Sequence, residues 1–266
     1  MLLEEFDPVR EAVINPDMLF QPLPDFPETV IGIFSHKLFD RVVEFLGGRE
    51  FAVVRDANGP RPIYEALYQG RRVALCLARV GASACVGTFE DIIALGAKRV
   101  ILLGNCGVLD KSIEDCGVII PTRAIRDEGT SYHYAPPADY IDVNRRHVDV
   151  FRQVLRERGY PFVEGTTWTT DAFYRETRAK IERRRQMGAI CVEMECAAMQ
   201  ALCDFRGVEF FQFLYAGDNL DHSSWARAAS PAPRGWTTRP KSRCWRLSWR
   251  REYNSRSKAM LFSERK

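Results

Sequence analysis

Residues 190–198 read Ile190-Cys191-Val192-Glu193-Met194-Glu195-Cys196-Ala197-Ala198. An apolar run gives way there to a helix-forming one, and two carboxylates flank a methionine at the junction. The helical pattern runs over 195–206 and stops at Gly207, and a strand that exits into a helix is the repeating unit of an α/β chain. A carboxylate at such an exit can accept two hydroxyl protons at once, as a vicinal diol requires, and charge-assisted bonds of that kind are the strong ones. The competing explanation is structural: Glu193 and Glu195 open a helix, and acids favour the positive end of its dipole.

Working outward, short apolar runs at 30–34, 72–77, 100–103, 118–120 and 208–214 predict buried strands. Helical patterns lie between them. Ser83 is expected to cap a helix over 83–95 closed by Gly96, and Asn144 one over 144–158 closed by Gly159. Strands alternating with helices predict a single-domain, three-layer αβα fold around a central mixed, mostly parallel sheet. In such sheets ligands gather at the carboxyl ends of the strands. Leu102-Leu103-Gly104-Asn105-Cys106-Gly107 leaves a strand through two glycines, which let backbone N–H groups approach an anion or a sugar closely.

The 266 residues, 46% of them hydrophobic, suffice for one substantial core. Eight cysteines include no Cys-x-x-Cys pair, and most lie in apolar runs where a thiol acts as a small hydrophobe. A reduced protein without structural zinc is expected. The amino terminus carries acids where a signal peptide carries bases, and no run approaches the ~18 apolar residues of a membrane span. The expectation is a soluble, cytoplasmic chain with no membrane partner.

The resemblance to a known family rests on six ordered motifs. They are Gly81-Ala82-Ser83; Ala94-Leu95-Gly96-Ala97-Lys98-Arg99-Val100 running into Gly104-Asn105-Cys106-Gly107; Asp115-Cys116-Gly117-Val118-Ile119-Ile120-Pro121; Arg126-Asp127-Glu128-Gly129-Thr130-Ser131-Tyr132-His133-Tyr134; Thr170-Asp171-Ala172-Phe173-Tyr174; and Val192-Glu193-Met194-Glu195. In this order, over residues 28–222, they resemble the nucleoside phosphorylase family, which holds purine nucleoside phosphorylases, uridine phosphorylases and related nucleosidases. The resemblance implies cleavage of a nucleoside by phosphate to free base and ribose 1-phosphate. It gives Glu195 the ribose 2′ and 3′ hydroxyls, with Met194 packed on the sugar and Glu193 beside it. Phe173 would stack on the base, although a place in the core is the plain alternative. Asn105 and Gly104 fall where phosphate and sugar are touched, and Asp218 falls where purine-specific members keep an acid near N7, although it could equally cap a helix. Glu195 and Asp218 are thus the expected catalytic residues. Inorganic phosphate is the implied co-substrate, with no other cofactor and no metal, and a homo-oligomer, dimer or hexamer, is the implied assembly.

The chain departs from that family where phosphate should bind. The Gly-Asp-Pro-x-Arg turn after the first strand is absent, and Leu102 holds the place of the strand arginine. Arg79, Gly81, Asn105 and Arg41 are the remaining candidates, since a phosphate needs a cation but not one fixed source. A nucleosidase or a weakly active nucleoside-binding homologue is therefore the alternative. The Gln-x-Arg pair that reads uracil is also missing, so purine and uridine both stay open.

Residues 226–266 do not match the rest. They hold twelve Lys or Arg and two acids, a net +10 against −7 for residues 1–225, with Trp236, Trp245 and Trp249 interspersed. Arg-rich, Trp-bearing stretches can bind nucleic acid, but a simpler reading is expected. Residues 235–249 can be encoded so that a shifted frame reads Leu-Asp-Asp-Gln-Ala-Lys-Ile-Ala-Leu-Leu-Ala-Leu-Glu-Leu, which has a helical period. A frameshifted or disordered tail after about residue 225, a family domain over 28–222 and an extension over 1–27 follow, with no nucleic-acid partner.

Overall fold

The structure is a computed structural model that describes residues 2–57, 59–113 and 117–221. The basic tail at 226–266 lies outside the described residues, as do Asp115 and Cys116 of the third motif.

Among the described residues, ten strands in one sheet and six helices make a mixed α/β fold. In chain order they are α1 (Pro16–Leu19), β1 (Thr29–Ile33), α2 (His36–Leu46), β2 (Arg49–Asp56), β3 (Gly59–Tyr68), β4 (Arg71–Leu77), α3 (Ala82–Leu95), β5 (Arg99–Val108), β6 (Val118–Asp127) and β7 (Tyr140–Asp142). There follow α4 (Val148–Glu157), β8 (Phe162–Thr170), α5 (Arg178–Gln186), β9 (Ala189–Glu193), α6 (Cys196–Arg206) and β10 (Glu209–Asn219). The sheet runs β10-β6-β8-β9-β5-β1-β4-β3-β2, and β10 also pairs with β5. That extra pairing closes β5, β9, β8, β6 and β10 into a ring, while β1 to β4 continue as an open sheet.

Parallel and antiparallel pairings are equal in number, five each, where the sequence predicted mostly parallel ones. The excess antiparallel pairing comes from β2 and β3, which the apolar-run reading passed over. Pro60 and Pro62 interrupt the strand pattern of β3, as proline does away from sheet centres. Gln69 and Gly70, at φ +49° and +76°, make the two-residue turn that folds β3 back onto β4, since tight hairpins need left-handed backbone at both central positions.

Two helix starts also differ from expectation. Helix α3 begins at Ala82 with Gly81, not Ser83, at its N-cap. Helix α4 begins at Val148 after His147, because Asn144 is buried at φ +56° and bonded elsewhere. Its amide donates to the carbonyls of Pro121 and Gln212 and accepts from the Gln212 N–H. Helix ends were legible: α6 closes on Gly207 at φ +75°, the left-handed position that glycine fills without strain.

The main core lies where α3 and α6 pack on each other, with Phe89, Ile92, Met199 and Leu202 against Val30, Ala74 and Val100 of the strands. On α2, Phe39 joins Ile33, Leu75 and Ala66 in a separate cluster. The six cysteines among the described residues are buried and unpaired, filling space as small apolar groups. No helix among the described residues is long and apolar enough to cross a membrane.

Candidate functional site at the strand exits

The exits of β5, β9 and β10 converge on one cavity of about 280 Å³. Its walls include Gly104 and Asn105 from β5, Glu193, Met194 and Glu195 from the β9–α6 junction, Phe173 from the turn after β8, and Asp218 from β10. Seven of the residues singled out in the sequence therefore meet at one place, although they are drawn from positions 104 to 218.

The two acids of the junction divide the roles that the sequence left undecided. Glu193 is the structural one. Its Oε1 accepts from the hydroxyls of Thr169 (2.6 Å) and Thr167 (3.3 Å), and its Oε2 accepts from the backbone N–H of Glu195 (2.7 Å) and Cys196 (2.6 Å). Both oxygens are thus spent on internal donors, two of them the amides of the N-cap residue and of the first residue of α6, which have no partner within the helix. Glu195, the N-cap residue itself, makes no side-chain cap. Its Oε1 instead accepts the Gly81 N–H at 2.5 Å, across 114 positions of sequence. Only 5% of Glu195 is exposed. Burial, reinforced by the neighbouring Glu193 charge and opposed by the Gly81 amide, pushes its carboxyl up to about 8. Such a group keeps its proton at neutral pH until partners appear that favour the charged form.

Asp218 owes its position to a bulge. In the β10–β5 register Ala216 faces Cys106 and Asp218 faces Gly107, so Gly217 is the extra residue. A β-carbon at Gly217 would lie 2.7 Å from Asn105 Nδ2 and 2.9 Å from Asn105 Cβ. Glycine is required there, and the bulge re-aims the next side chain, as bulges beside sites do. Asp218 lies inside a strand, which removes the helix-cap alternative. Phe173 is 49% exposed, so it belongs to the cavity wall and not to the core.

The phosphate candidates are less well gathered. Asn105 lines the cavity, and Gly81 reaches it through its bond to Glu195. Arg79 pairs with Asp56 at 3.0 Å, and neither Arg79 nor Arg41, on α2, belongs to the cavity wall. Among the described residues no Lys, Arg or His lines the cavity, whereas four carboxyl groups do.

The fourth of these, Glu176, escaped the sequence reading, as did Gln212, Phe34 and Val80 on the wall. Glu176 lies in an irregular turn and carries no periodic signal. Its carboxyl is raised to about 7 by burial and by the Asp218 charge. Gln212 could have been seen, as the lone amide in the run Phe210-Phe211-Gln212-Phe213-Leu214.

Comparison with known proteins identifies the family and the fold. The family model described as the Phosphorylase superfamily matches residues 34–232. The chain belongs to that superfamily. Among curated relatives, the DeoD-type purine nucleoside phosphorylases of Bacillus cytotoxicus and Bacillus thuringiensis are each 27% identical over 164 residues, 59% of this chain and 68% of theirs. Two solved structures share the fold at a TM-score of 0.66: the Toxoplasma gondii purine nucleoside phosphorylase in complex with immucillin-H and a uridine phosphorylase from Vibrio fischeri. They are 20% and 22% identical, and the superposed part covers 74% of this chain and 79% and 80% of theirs. The superfamily member described here thus keeps the junction acids and the bulged aspartate in one cavity.

Proposed function

We propose that this superfamily member cleaves the N-glycosidic bond of a nucleoside, purine or uridine, with phosphate as acceptor. The observation that carries the reading is Glu195: a buried carboxyl with one oxygen on the Gly81 amide, opening on a cavity that also holds Phe173 and Asp218. Bond cleavage builds positive character on the sugar and negative charge on the departing base, and catalysis comes from groups that meet those charges as they develop. Glu195 anchors the 2′ and 3′ hydroxyls and, as it ionises, stabilises the sugar cation. Met194 packs on the sugar, Phe173 stacks on the base as an aromatic face does well, and Asp218 serves the base nitrogen. An oxygen of phosphate bonds to C1′ as the C1′–N bond breaks, its electron pair leaves on the base, and the base takes up a proton. Asn105 is the phosphate contact proposed here, because the expected Gly81 N–H is taken by Glu195, with Arg79 and Arg41 as the candidate cations, and copies of the chain are proposed to associate.

The acid-rich lining favours a second reading, hydrolysis, because an anion entering the cavity meets carboxyl groups and no cation among the described residues. Incubation with inosine and with uridine, each with and without phosphate, separates the two. Ribose 1-phosphate formed only with phosphate supports phosphorolysis, and free ribose in both arms identifies a hydrolase. Absence of released base in every arm refutes the proposed activity.

A further inference from the structure

A cross-strand row runs Ile63, Cys76, Gly32, Leu102, Gln212 through β3, β4, β1, β5 and β10. Only its last member is polar. Gln212 is 0% exposed, and among the described residues neither its Oε1 nor its Nε2 has a hydrogen-bond partner. Its backbone is fully engaged: the N–H donates to Asn144 Oδ1 at 2.8 Å and the carbonyl accepts from Asn144 Nδ2 at 2.7 Å. The strand is therefore held in place while the amide at the end of the side chain bonds to none of the described residues. Buried amides are almost always paired, and an orphan pays the full cost of desolvation. A fold gains nothing from such a group where leucine or methionine would fill the same space.

Gln212 also lines the cavity that holds Glu195 and Asp218. Of the β10 residues on that wall, Gln212, Leu214 and Asp218, it lies farthest from the strand exit. Asp218 and the half-exposed Phe173 stand nearer the mouth, where the base is read, and Glu195 takes the sugar hydroxyls. What remains for the floor is the side of the sugar opposite the base.

We propose that the Gln212 amide holds the attacking oxygen, the group that enters beneath the anomeric carbon of the nucleoside. This rests on the glycosidic-cleavage reading and adds a residue to it. An amide offers an acceptor and a donor side by side, which suits an oxygen that carries both a hydrogen and lone pairs. Water and hydrogen phosphate share that chemistry. With water, the C1′–O bond forms as the C1′–N bond breaks, the electron pair leaves on the base nitrogen, and the proton lost by water balances the one the base gains. With phosphate, the product is the sugar 1-phosphate and the base draws its proton from Asp218 or solvent.

Gln212→Leu in the full chain tests this. The expected result is a melting temperature equal to or above wild type, since an unpaired buried amide is replaced by an apolar group, together with a fall of about tenfold or more in kcat. The nucleoside KM should stay within about twofold. If phosphate is the acceptor, its KM rises about tenfold; if water is, the loss lies in kcat alone and phosphate has no effect. A variant as active as wild type, or one whose loss lies wholly in the nucleoside KM, overturns the inference. Gln212→Met, with similar reach and no hydrogen bonding, repeats the test if the leucine variant fails to melt cooperatively. An active wild type with unaffected variants refutes the role of Gln212 alone, whereas an inactive wild type refutes the parent reading and this inference with it.

Discussion

Replacing Glu195 by glutamine should make the protein more stable and less active, and the stability gain should depend on pH. In the folded state burial, then the Glu193 charge, raises the carboxyl from its ordinary 4.5 to about 8. Below the ordinary value both states hold the proton and the group contributes nothing. Between the two values the unfolded chain ionises while the folded one stays protonated, so stability falls as pH rises, and above the folded value the loss is complete. At 1.36 kcal/mol per unit the full loss is roughly 5 kcal/mol, an upper bound because Glu193 shares the titration. Glu195→Gln keeps an oxygen for the Gly81 amide but has no titration, so its advantage should be about 1 kcal/mol near pH 5 and several kcal/mol near pH 8.5. Urea midpoints of both proteins at the two pH values measure the gap. The amide also presents a donor where the carboxylate presents a second acceptor, losing a charge-assisted bond worth about 1.5–3 kcal/mol. That predicts a fall of roughly 10- to 150-fold in kcat/KM. A stability gap that does not change with pH would refute the assignment of a buried, proton-holding carboxyl, and an unchanged kcat/KM would refute its role as sugar anchor.

Glu193→Ala leaves two hydroxyls and two backbone amides without their acceptor, and should cost about 3–5 kcal/mol, seen as a fall of roughly 10 °C in melting temperature. Gly217→Ala places a β-carbon against Asn105 and disturbs the bulge that aims Asp218, so it should cost about 1–3 kcal/mol of stability, seen in the melting temperature, and kcat/KM of the folded protein should drop about tenfold. Glu176 holds its proton up to about 7 through burial and the Asp218 charge. The wild-type pH profile of kcat/KM should therefore bend near neutrality, and Glu176→Gln should remove that bend. Nucleoside binding itself should release a proton near neutral pH, because two hydroxyl donors favour the ionised Glu195, and calorimetry in buffers of different ionisation enthalpy reads it directly.

The sequence by itself determined the α/β class, the buried strand starts and the helix ends, because these are local; β5, β6 and β10 run on past their apolar runs to Val108, Asp127 and Asn219, so that Gly104 to Gly107 lies within β5 and not beyond it. An apolar run such as 100–103 is buried whatever its neighbours, and Gly96 and Gly207 stop helices through their own backbone freedom. The junction at 190–198 was legible for the same reason, whereas Asp218, Phe173 and Asn105 came from the resemblance to the family and share a cavity wall with Glu195. Chain closure and partner choice were not local. That β10 pairs with both β5 and β6 depends on strands a hundred positions apart, and threonine-rich β8, whose Thr167 and Thr169 turn inward to Glu193, reads as polar until its partner is known. Only the tertiary structure decided which junction acid is spent on internal donors and which takes a single backbone amide, because that depends on where Gly81 and the β8 hydroxyls come to rest. The same holds for Gln212 and Glu176: an unpaired amide, or a carboxyl raised by another's charge, is a relation between distant residues, and no stretch of sequence contains it.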